Sequence, residues 1–230
     1  MLTLVCALLG VIVGSLLTVV VDRVPSKQPV SSAARALLRR PGTVVGDRHT
    51  PMLQVATAGL FAAAALRFGA DWALPAYLVF FAAMVAVAVI DLEHFIVPNR
   101  VVGATLAVSV PLLALAAVLE PDRSSLVSAL VGAVVAGGGL LVVNLVSPQG
   151  LGMGDVKLAL VLGLFLGWVD LGHVLLGLFL GFLLGALGGV VLIMLKRRTR
   201  RDHVPFAPYL AAGAVLAVLA GNLMLDWYLG

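Results

Sequence analysis

The sequence has few charged residues. Only 11% of its 230 residues are charged, whereas 62% are hydrophobic. A soluble domain of this size has about twice that density of charge, so an ordinary soluble protein is excluded. Regular alternation of apolar and polar residues is also absent, and the apolar runs are too long for the strands of a membrane barrel. The composition therefore predicts an all-α fold, a polytopic bundle of membrane helices.

Cysteine is nearly absent as well. The single cysteine, Cys6, lies within an apolar run. One cysteine cannot form an internal disulfide, and it excludes a zinc site made of paired cysteines. The N-terminus lacks both a basic segment and a small-residue cleavage site. We therefore expect residues 2–21 to remain in the protein as a first membrane span and not to be removed as a signal peptide.

Apolar segments of membrane-spanning or nearly membrane-spanning length recur along the whole chain. Eight can be drawn, and the sixth is the shortest. They comprise residues 2–21, 51–68, 73–90, 101–119, 125–146, 156–169, 173–195 and 206–227.

Basic residues are distributed unequally between the two ends of these segments. Thirteen of the 15 lysines and arginines lie on the side of the 22–50 and 196–203 linkers, and only Arg67 and Arg123 lie on the other side. Because basic loops stay in the cytoplasm, we expect 22–50 to be a short basic cytoplasmic loop and both chain termini to lie outside. The basic residues follow the loops between spans, so no nucleic-acid partner is predicted.

Asp91 is the first polar residue after a long apolar run, YLVFFAAMVAVAVI, at the cytoplasmic end of the third segment. The following Pro98 and Asn99 predict a turn, because the residue before a proline avoids helical geometry. On this segment alone, an aspartate that ends a helix at the headgroup boundary explains the pattern as well as a functional role does.

Asp155 lies within an unusual stretch, GLGMGDVKLAL, in which Gly150, Gly152 and Gly154 occupy alternate positions. Glycines let the backbone approach another segment closely. A flexible loop whose Asp155 caps the sixth helix accounts for the acid, but it does not account for three glycines and Lys157 together. The predicted topology places this acid at the membrane face of Asp91, which is the geometric condition for a carboxylate pair.

No metal site is predicted. His94 lies three residues after Asp91, but no second histidine or cysteine at ligand spacing accompanies it. Metal centres in proteins usually need three or four such ligands.

Four stretches together resemble the prepilin peptidases, the GxGD membrane aspartyl proteases that process type IV pilin-like precursors. GMGDVK at 152–157 is similar to the GxGD signature, and IDLEHFIVPN at 90–99 is similar to the motif of the first catalytic aspartate. GVIVGSLLTVVVDRVP at 10–25 and VPFAPYLAAGAV at 204–215 resemble the first and last spans of the family. The resemblance covers nearly the whole chain in the order of the family.

The resemblance implies that residues 1–230 form one integral-membrane peptidase domain with Asp91 and Asp155 as its catalytic pair. It implies removal of a short basic leader, typically after a glycine, from prepilin or pseudopilin precursors. These precursors and the lipid bilayer are the expected partners, and the site is expected at the cytoplasmic face of the bacterial inner membrane. Supporting or substrate-binding roles are expected for Gly152, Gly154, Lys157, Pro98 and Asn99.

Hydrolysis by two carboxylates requires one ionised group, which takes a proton from water, and one protonated group, which polarises the scissile carbonyl. Two close carboxylates do not both ionise at low cost, so they share a proton. Asp155 starts its helix, where the dipole favours an anion, and Asp91 ends its helix, where the dipole disfavours one. We therefore hypothesise that Asp155 is the base and Asp91 the acid.

The 22–50 loop determines which cofactors are expected. Many members of the family carry two pairs of cysteines in this loop, bind zinc there, and methylate the new N-terminus with S-adenosylmethionine. The loop in this chain has no cysteine. We expect no zinc and no cofactor for cleavage, and S-adenosylmethionine only if methyl transfer is retained.

Two other functions fit part of the pattern. A proton-coupled membrane transporter would use acids near the membrane and glycine-broken helices, although both acids lie at span ends on one side and no inverted repeat is visible. A non-catalytic pilus or secretion assembly factor would use the carboxylates only as helix caps. Loss of a precursor's leader would indicate the peptidase, and proton flux would indicate the transporter. Neither result would indicate the assembly factor.

Overall fold

Eight helices form the part of the chain that the computed structural model describes, which comprises residues 1–24, 50–120, 124–147, 151–195 and 205–229. No strand occurs in these ranges. The predicted segments agree with the helix bounds to within four residues. The helices are α1 (Leu2–Arg23), α2 (Thr50–Phe68), α3 (Leu74–His94), α4 (Asn99–Leu119), α5 (Ser124–Val146), α6 (Met153–Val169), α7 (Leu171–Met194) and α8 (Ala207–Leu229).

Seven of the eight helices are long and apolar enough to cross a membrane, and α6, with 17 residues, is shorter. The core of a bilayer offers no water to the backbone, so spanning segments must satisfy their N–H and C=O groups internally, as helices do. The predicted polytopic helical bundle is thereby confirmed. The orientation of the termini stays a prediction. Most of the 22–50 linker and all of the 196–203 linker lie outside the described residues.

Consecutive helices pack as pairs, α1 with α2, α5 with α6, and α7 with α8. Glycines lie where the backbones cross. A Cβ atom added to Gly163 of α6 would clash with the carbonyl oxygen of Gly132 of α5 and would lie 2.7 Å from Cβ of Ala136. Small residues at such crossings let membrane helices approach closely, and the van der Waals contact between them stabilises the bundle.

The helix α3 lies at the centre of the bundle. Of an 18-residue apolar stretch of α3, 67% is buried inside the protein, against 11% of the corresponding stretch of α7. Large aromatic side chains separate α3 from α6: Tyr77 Oη donates a hydrogen bond to the carbonyl oxygen of Phe165 at 2.8 Å, and the Phe80 ring stacks on Phe165 at 4.4 Å. Both α4 and α8 pack against α3 and α6. These contacts fix α3 relative to α6 at the end of the helices opposite to Asp91 and Asp155.

We expect Gly163→Ala to lower the free energy of unfolding by about 1–3 kcal/mol, because the added methyl group overpacks the α5–α6 crossing. Gly139→Ala is the matched control, since nothing lies within 4 Å of a Cβ atom at that position. Alanine in a helix interior is favoured over glycine by roughly 0.5–1 kcal/mol, so the control should be as stable as the wild type or slightly more so. Thermal unfolding in detergent measures both, and equal stability of the two variants would contradict this packing.

Candidate active site

Asp91 lies in the last turn of α3 and is 5% exposed. The helix ends abruptly after His94, because Phe95 adopts the left-handed conformation with φ of 55°. The N–H group of Phe95 donates to the carbonyl oxygen of Asp91 at 2.9 Å. Pro98 is the N-cap residue of α4 and has an extended backbone. The connection is therefore very short, and the start of α4 stays beside Asp91.

The carboxylate of Asp91 contacts the beginning of the last helix. Its Oδ2 atom accepts a hydrogen bond from the backbone N–H group of Ala207 at 3.1 Å, in a buried position. Ala207 is the first residue of α8, and the first N–H groups of a helix have no partner within it. Asp91 thus satisfies one of these groups from 116 residues away in sequence.

Asp155 is the third residue of α6 and is 8% exposed. Gly152 is the N-cap residue. The alternative in which Asp155 itself is the N-cap residue is therefore wrong. The carboxylate reaches back instead: Oδ2 of Asp155 accepts a hydrogen bond from the N–H group of Gly152 at 3.1 Å. This is the side-chain half of a capping box, and it holds the carboxylate at the start of α6.

Both carboxylates line one cavity of about 240 Å³. A water molecule occupies about 30 Å³ in the liquid, so several could fit. An ionised carboxylate offers about four acceptor positions, and within the described residues each of these two accepts a single hydrogen bond. The other residues of the lining are Phe95, Ile96, Val97, Asn99, Gly152 and Gly154.

The start of α6 lies against the turn between α3 and α4. A Cβ atom on Gly154 would lie 2.9 Å from Cβ of Val97, closer than real side chains approach, so this contact requires glycine. Nζ of Lys157 donates a hydrogen bond to Oδ1 of Asn99, a residue of the cavity lining, at 3.0 Å. Two contacts therefore join α6 to the segment that follows Asp91.

The remaining predicted site residues lie around this centre. Pro98 is buried and is the N-cap residue of α4, and it is not part of the cavity lining. His94 approaches Glu93 at 3.9 Å and does not line the cavity. In the described ranges, no group of three histidine, cysteine or acidic side chains could hold a metal ion; the absence of a metal from the reaction stays a prediction. Gly150 lies outside the described residues.

Sequence reasoning missed Ala207, which acts through its backbone and so has no side-chain signature. The signal that could have indicated it is the pair of prolines in VPFAPYLAAGAV, since a proline in the first turn marks the start of a helix. With the predicted topology, this start and its free N–H groups belong at the membrane face of Asp91. The cavity lining formed by residues 95–97 was also missed.

The fold and the site together define a polytopic membrane protein that brings two buried carboxylates from different helices to one cavity. The model of the type IV leader peptidase family matches residues 78–193, a range that includes both Asp91 and Asp155. The chain belongs to the type IV leader peptidase family. The predicted resemblance and the prediction of a peptidase are thereby confirmed, and the transporter and assembly-factor alternatives lose their support.

The relatives have one name in common, "Prepilin leader peptidase/N-methyltransferase". The *Bacillus subtilis* protein is 36% identical over 179 residues, which are 78% of this chain and 69% of the relative. The *Aeromonas hydrophila* protein is 34% identical over 189 residues, which are 78% of this chain and 61% of the relative. The *Stutzerimonas stutzeri* protein is 27% identical over 278 residues, and the match covers 97% of this chain and 93% of the relative. No solved structure matches the chain significantly.

The hydrogen bond from Ala207 predicts a difference between two substitutions of the same residue. Asp91→Asn keeps an acceptor for the N–H group, whereas Asp91→Ala leaves this buried donor without a partner. Such a loss typically costs about 1–3 kcal/mol, so we expect the alanine variant to be less stable than the asparagine variant by this amount. Thermal unfolding of both purified proteins in detergent measures the difference. Equal stabilities would contradict the assigned contact.

Proposed function

We propose that this chain is an aspartyl endopeptidase that removes the leader peptide from prepilin-like precursors, with Asp91 and Asp155 as its catalytic pair. The observation that carries the proposal is the cavity shared by two nearly buried carboxylates, each with a single hydrogen bond from the described residues. Buried polar groups are normally hydrogen-bonded. The unused acceptor positions are therefore available to water and to a substrate inside the cavity.

The reaction needs a water molecule between the two carboxylates and the scissile carbonyl. The ionised carboxylate removes a proton from the water, and the oxygen attacks the carbonyl carbon while the protonated carboxylate donates a hydrogen bond to the carbonyl oxygen. The resulting tetrahedral intermediate collapses as its C–N bond breaks, and a proton passes to the leaving nitrogen. The products are a free leader carboxylate and a new N-terminus.

The helix termini around the site support Asp155 as the ionised member of the pair. Asp155 lies in the first turn of α6 and meets the positive end of that helix. Asp91 lies at the negative end of α3 but also meets the positive end of α8 through Ala207. At Asp91 the unfavourable dipole of α3 and the favourable dipole of α8 oppose one another, whereas Asp155 meets the favourable dipole of α6. The difference in electrostatic environment between the two carboxylates is therefore smaller than the sequence suggests, but it still favours an ionised Asp155.

The distribution of charge supports a membrane side for the site, and the family supports a substrate class. The topology predicted from the sequence assigns 13 of the 15 basic residues to the same membrane side as Asp91 and Asp155, which supports a cytoplasmic site in the inner membrane by the positive-inside rule. A prepilin-like precursor has a basic leader and an apolar helix, and this helix would lie in the lipid bilayer beside the peptidase. The pilin or pseudopilin precursor is thus the substrate class we assign.

Methyl transfer is part of the names of the relatives, but this chain does not contain the residues for a cysteine-ligated zinc site. Its single cysteine, Cys6, is buried in α1. The *Stutzerimonas stutzeri* match extends over 278 positions, more than the 230 residues of this chain, so this relative contains segments with no counterpart here. We propose that the chain cleaves its substrate without zinc, and methyl transfer is not part of the proposed function.

Asp91→Asn and Asp155→Asn are each expected to abolish cleavage of a precursor, by at least about 10³-fold, since removing a residue of a hydrolytic centre has effects of this order. Each protein should still insert into the membrane, because asparagine preserves the shape of the side chain. Glu93→Gln, a neighbouring carboxylate outside the cavity lining, serves as the matched control and should remain active. Loss of the leader is measured by mass. Full activity of either asparagine variant would refute the mechanism.

Gly154→Val is expected to reduce cleavage far more than it reduces expression, because the added side chain collides with Val97 and displaces the turn beside Asp91. Gly103→Val in α4 provides the control, since a Cβ atom there meets nothing within 4 Å. Cleavage is normalised to the amount of protein in the membrane. An equal fall in expression and cleavage would indicate that Gly154 serves packing alone.

A further inference from the structure

Asn144 is the only polar side chain in the stretch 129–146 of α5. A polar side chain in an apolar membrane helix is costly unless it finds a partner. Its Nδ2 atom donates a hydrogen bond to the carbonyl oxygen of Leu151 at 2.6 Å. Leu151 directly precedes Gly152, the N-cap residue of α6. Asn144 therefore connects the end of α5 to the start of the helix that carries Asp155.

The carbonyl group of Leu151 belongs to the same peptide group as the N–H group of Gly152. That N–H group donates the hydrogen bond to Oδ2 of Asp155 at 3.1 Å. A peptide group is planar, so a contact that fixes the direction of its carbonyl also fixes the direction of its N–H. A continuous chain of hydrogen bonds thus runs from the amide of Asn144, through one peptide group, to the carboxylate of Asp155.

Few other contacts hold this peptide group. Within the described ranges, the carbonyl oxygen of Leu151 accepts no second hydrogen bond, and the N–H group of Gly152 donates only to Asp155. The neighbouring glycines allow the backbone many conformations. Besides the burial of the Leu151 side chain, which is 5% exposed, the hydrogen bond from Asn144 is what orients the peptide group.

We infer that Asn144 is a positioning residue for Asp155 and acts through the peptide group between Leu151 and Gly152. Asn144 directs the N–H group of Gly152 toward the carboxylate. It also polarises the peptide group, because hydrogen bonds in a chain strengthen one another. A stronger donor favours the ionised form of the carboxylate that accepts from it. The inference rests on the proposed function, in which Asp155 is the base, and it names a residue that keeps this base ionised.

Asn144 acts only through another group, since it is not part of the cavity lining. The titratable side chains of that lining are Asp91 and Asp155 alone. Other charged side chains also occur at this end of α6 and of the helices packed against it, and among the described residues they are Lys157 of α6, Arg100 at the start of α4, and Glu93 and His94 at the end of α3. A substitution of Asn144 changes none of them, so a comparison of variants isolates its effect.

The first test measures the ionisation of Asp155 without catalysis. In the full-length Asp91→Asn protein, Asp155 is the remaining carboxylate of the cavity lining, and a carbodiimide modifies carboxyl groups in their protonated form. Modification of Asp155 is measured by mass against pH in detergent, with and without Asn144→Leu, which keeps the size of the side chain and removes the donor. We expect the midpoint to rise by about half a pH unit, the effect of weakening one charge-assisted hydrogen bond.

Two further substitutions of the same residue accompany the leucine variant. Asn144→Gln keeps a donor and should restore part of the difference in the midpoint. Asn144→Ala lacks the donor, so it should show the same rise and replaces the leucine variant if that protein does not insert.

The second test measures kcat and KM for a precursor against pH, with Asp91 present. Asn144→Leu should lower kcat about threefold more on the acid side of the profile than at its plateau, because half a pH unit corresponds to a factor of about three. KM should not change. Gln54→Leu is the matched control: it removes a hydrogen bond between helices, from Nε2 of Gln54 to Oγ of Ser15 at 2.8 Å, outside the cavity lining. It should leave the shape of the profile unchanged.

The outcomes separate this inference from the proposed function. A raised midpoint of modification supports the positioning role, and it does so even if the wild type cleaves no precursor, a result that would refute the proposed function. Cleavage by the wild type together with an unchanged midpoint in the Asn144→Leu protein would overturn the positioning role and leave the proposed function intact. An equal loss of kcat at every pH, or the same shift of the profile in Gln54→Leu, would overturn it as well.

Discussion

The structure depends on the burial of two carboxylates at one end of an apolar helical bundle. An unpaired buried polar group is costly, and here each carboxylate is met by a backbone N–H group at the start of a helix. The start of α8 serves Asp91 and the start of α6 serves its own Asp155. The end of α3 and the beginnings of α6 and α8 must therefore converge, and the contacts between helices maintain this arrangement.

The same arrangement leaves the carboxylates incompletely satisfied by the described residues, and this links stability to function. A bundle built for stability alone would replace such a pair by apolar side chains of similar volume, often without loss. Here the pair faces a cavity of about 240 Å³ with room for water. Glycine at position 154 brings α6 against Val97, in the turn that follows Asp91. The two carboxylates and water can thus occupy one place.

Much of the fold was predictable, because hydrophobicity reports where a segment crosses a membrane and charge indicates which way it faces. These two signals placed Asp91 and Asp155 at one membrane depth, and the structure places them in one cavity. They do not report which helices are lateral neighbours, so the contact of Asp91 with Ala207 and that of Gly154 with Val97 were not predicted. The position of Asp155 within the first turn of α6 was also missed, because a glycine N-cap has no side chain to mark it.

The central claim is that Asp91 and Asp155 face each other in the membrane, and cross-linking tests it most directly. The chain has one native cysteine, Cys6, so Cys6→Ala gives a background without thiols. In that background, Asp91→Cys with Asp155→Cys should be joined by a short bifunctional thiol reagent in native membranes. The pair Asp91→Cys with Asp170→Cys should not be joined, because Asp170 lies at the other end of α6. Failure to join positions 91 and 155, or equal joining of both pairs, would contradict the account.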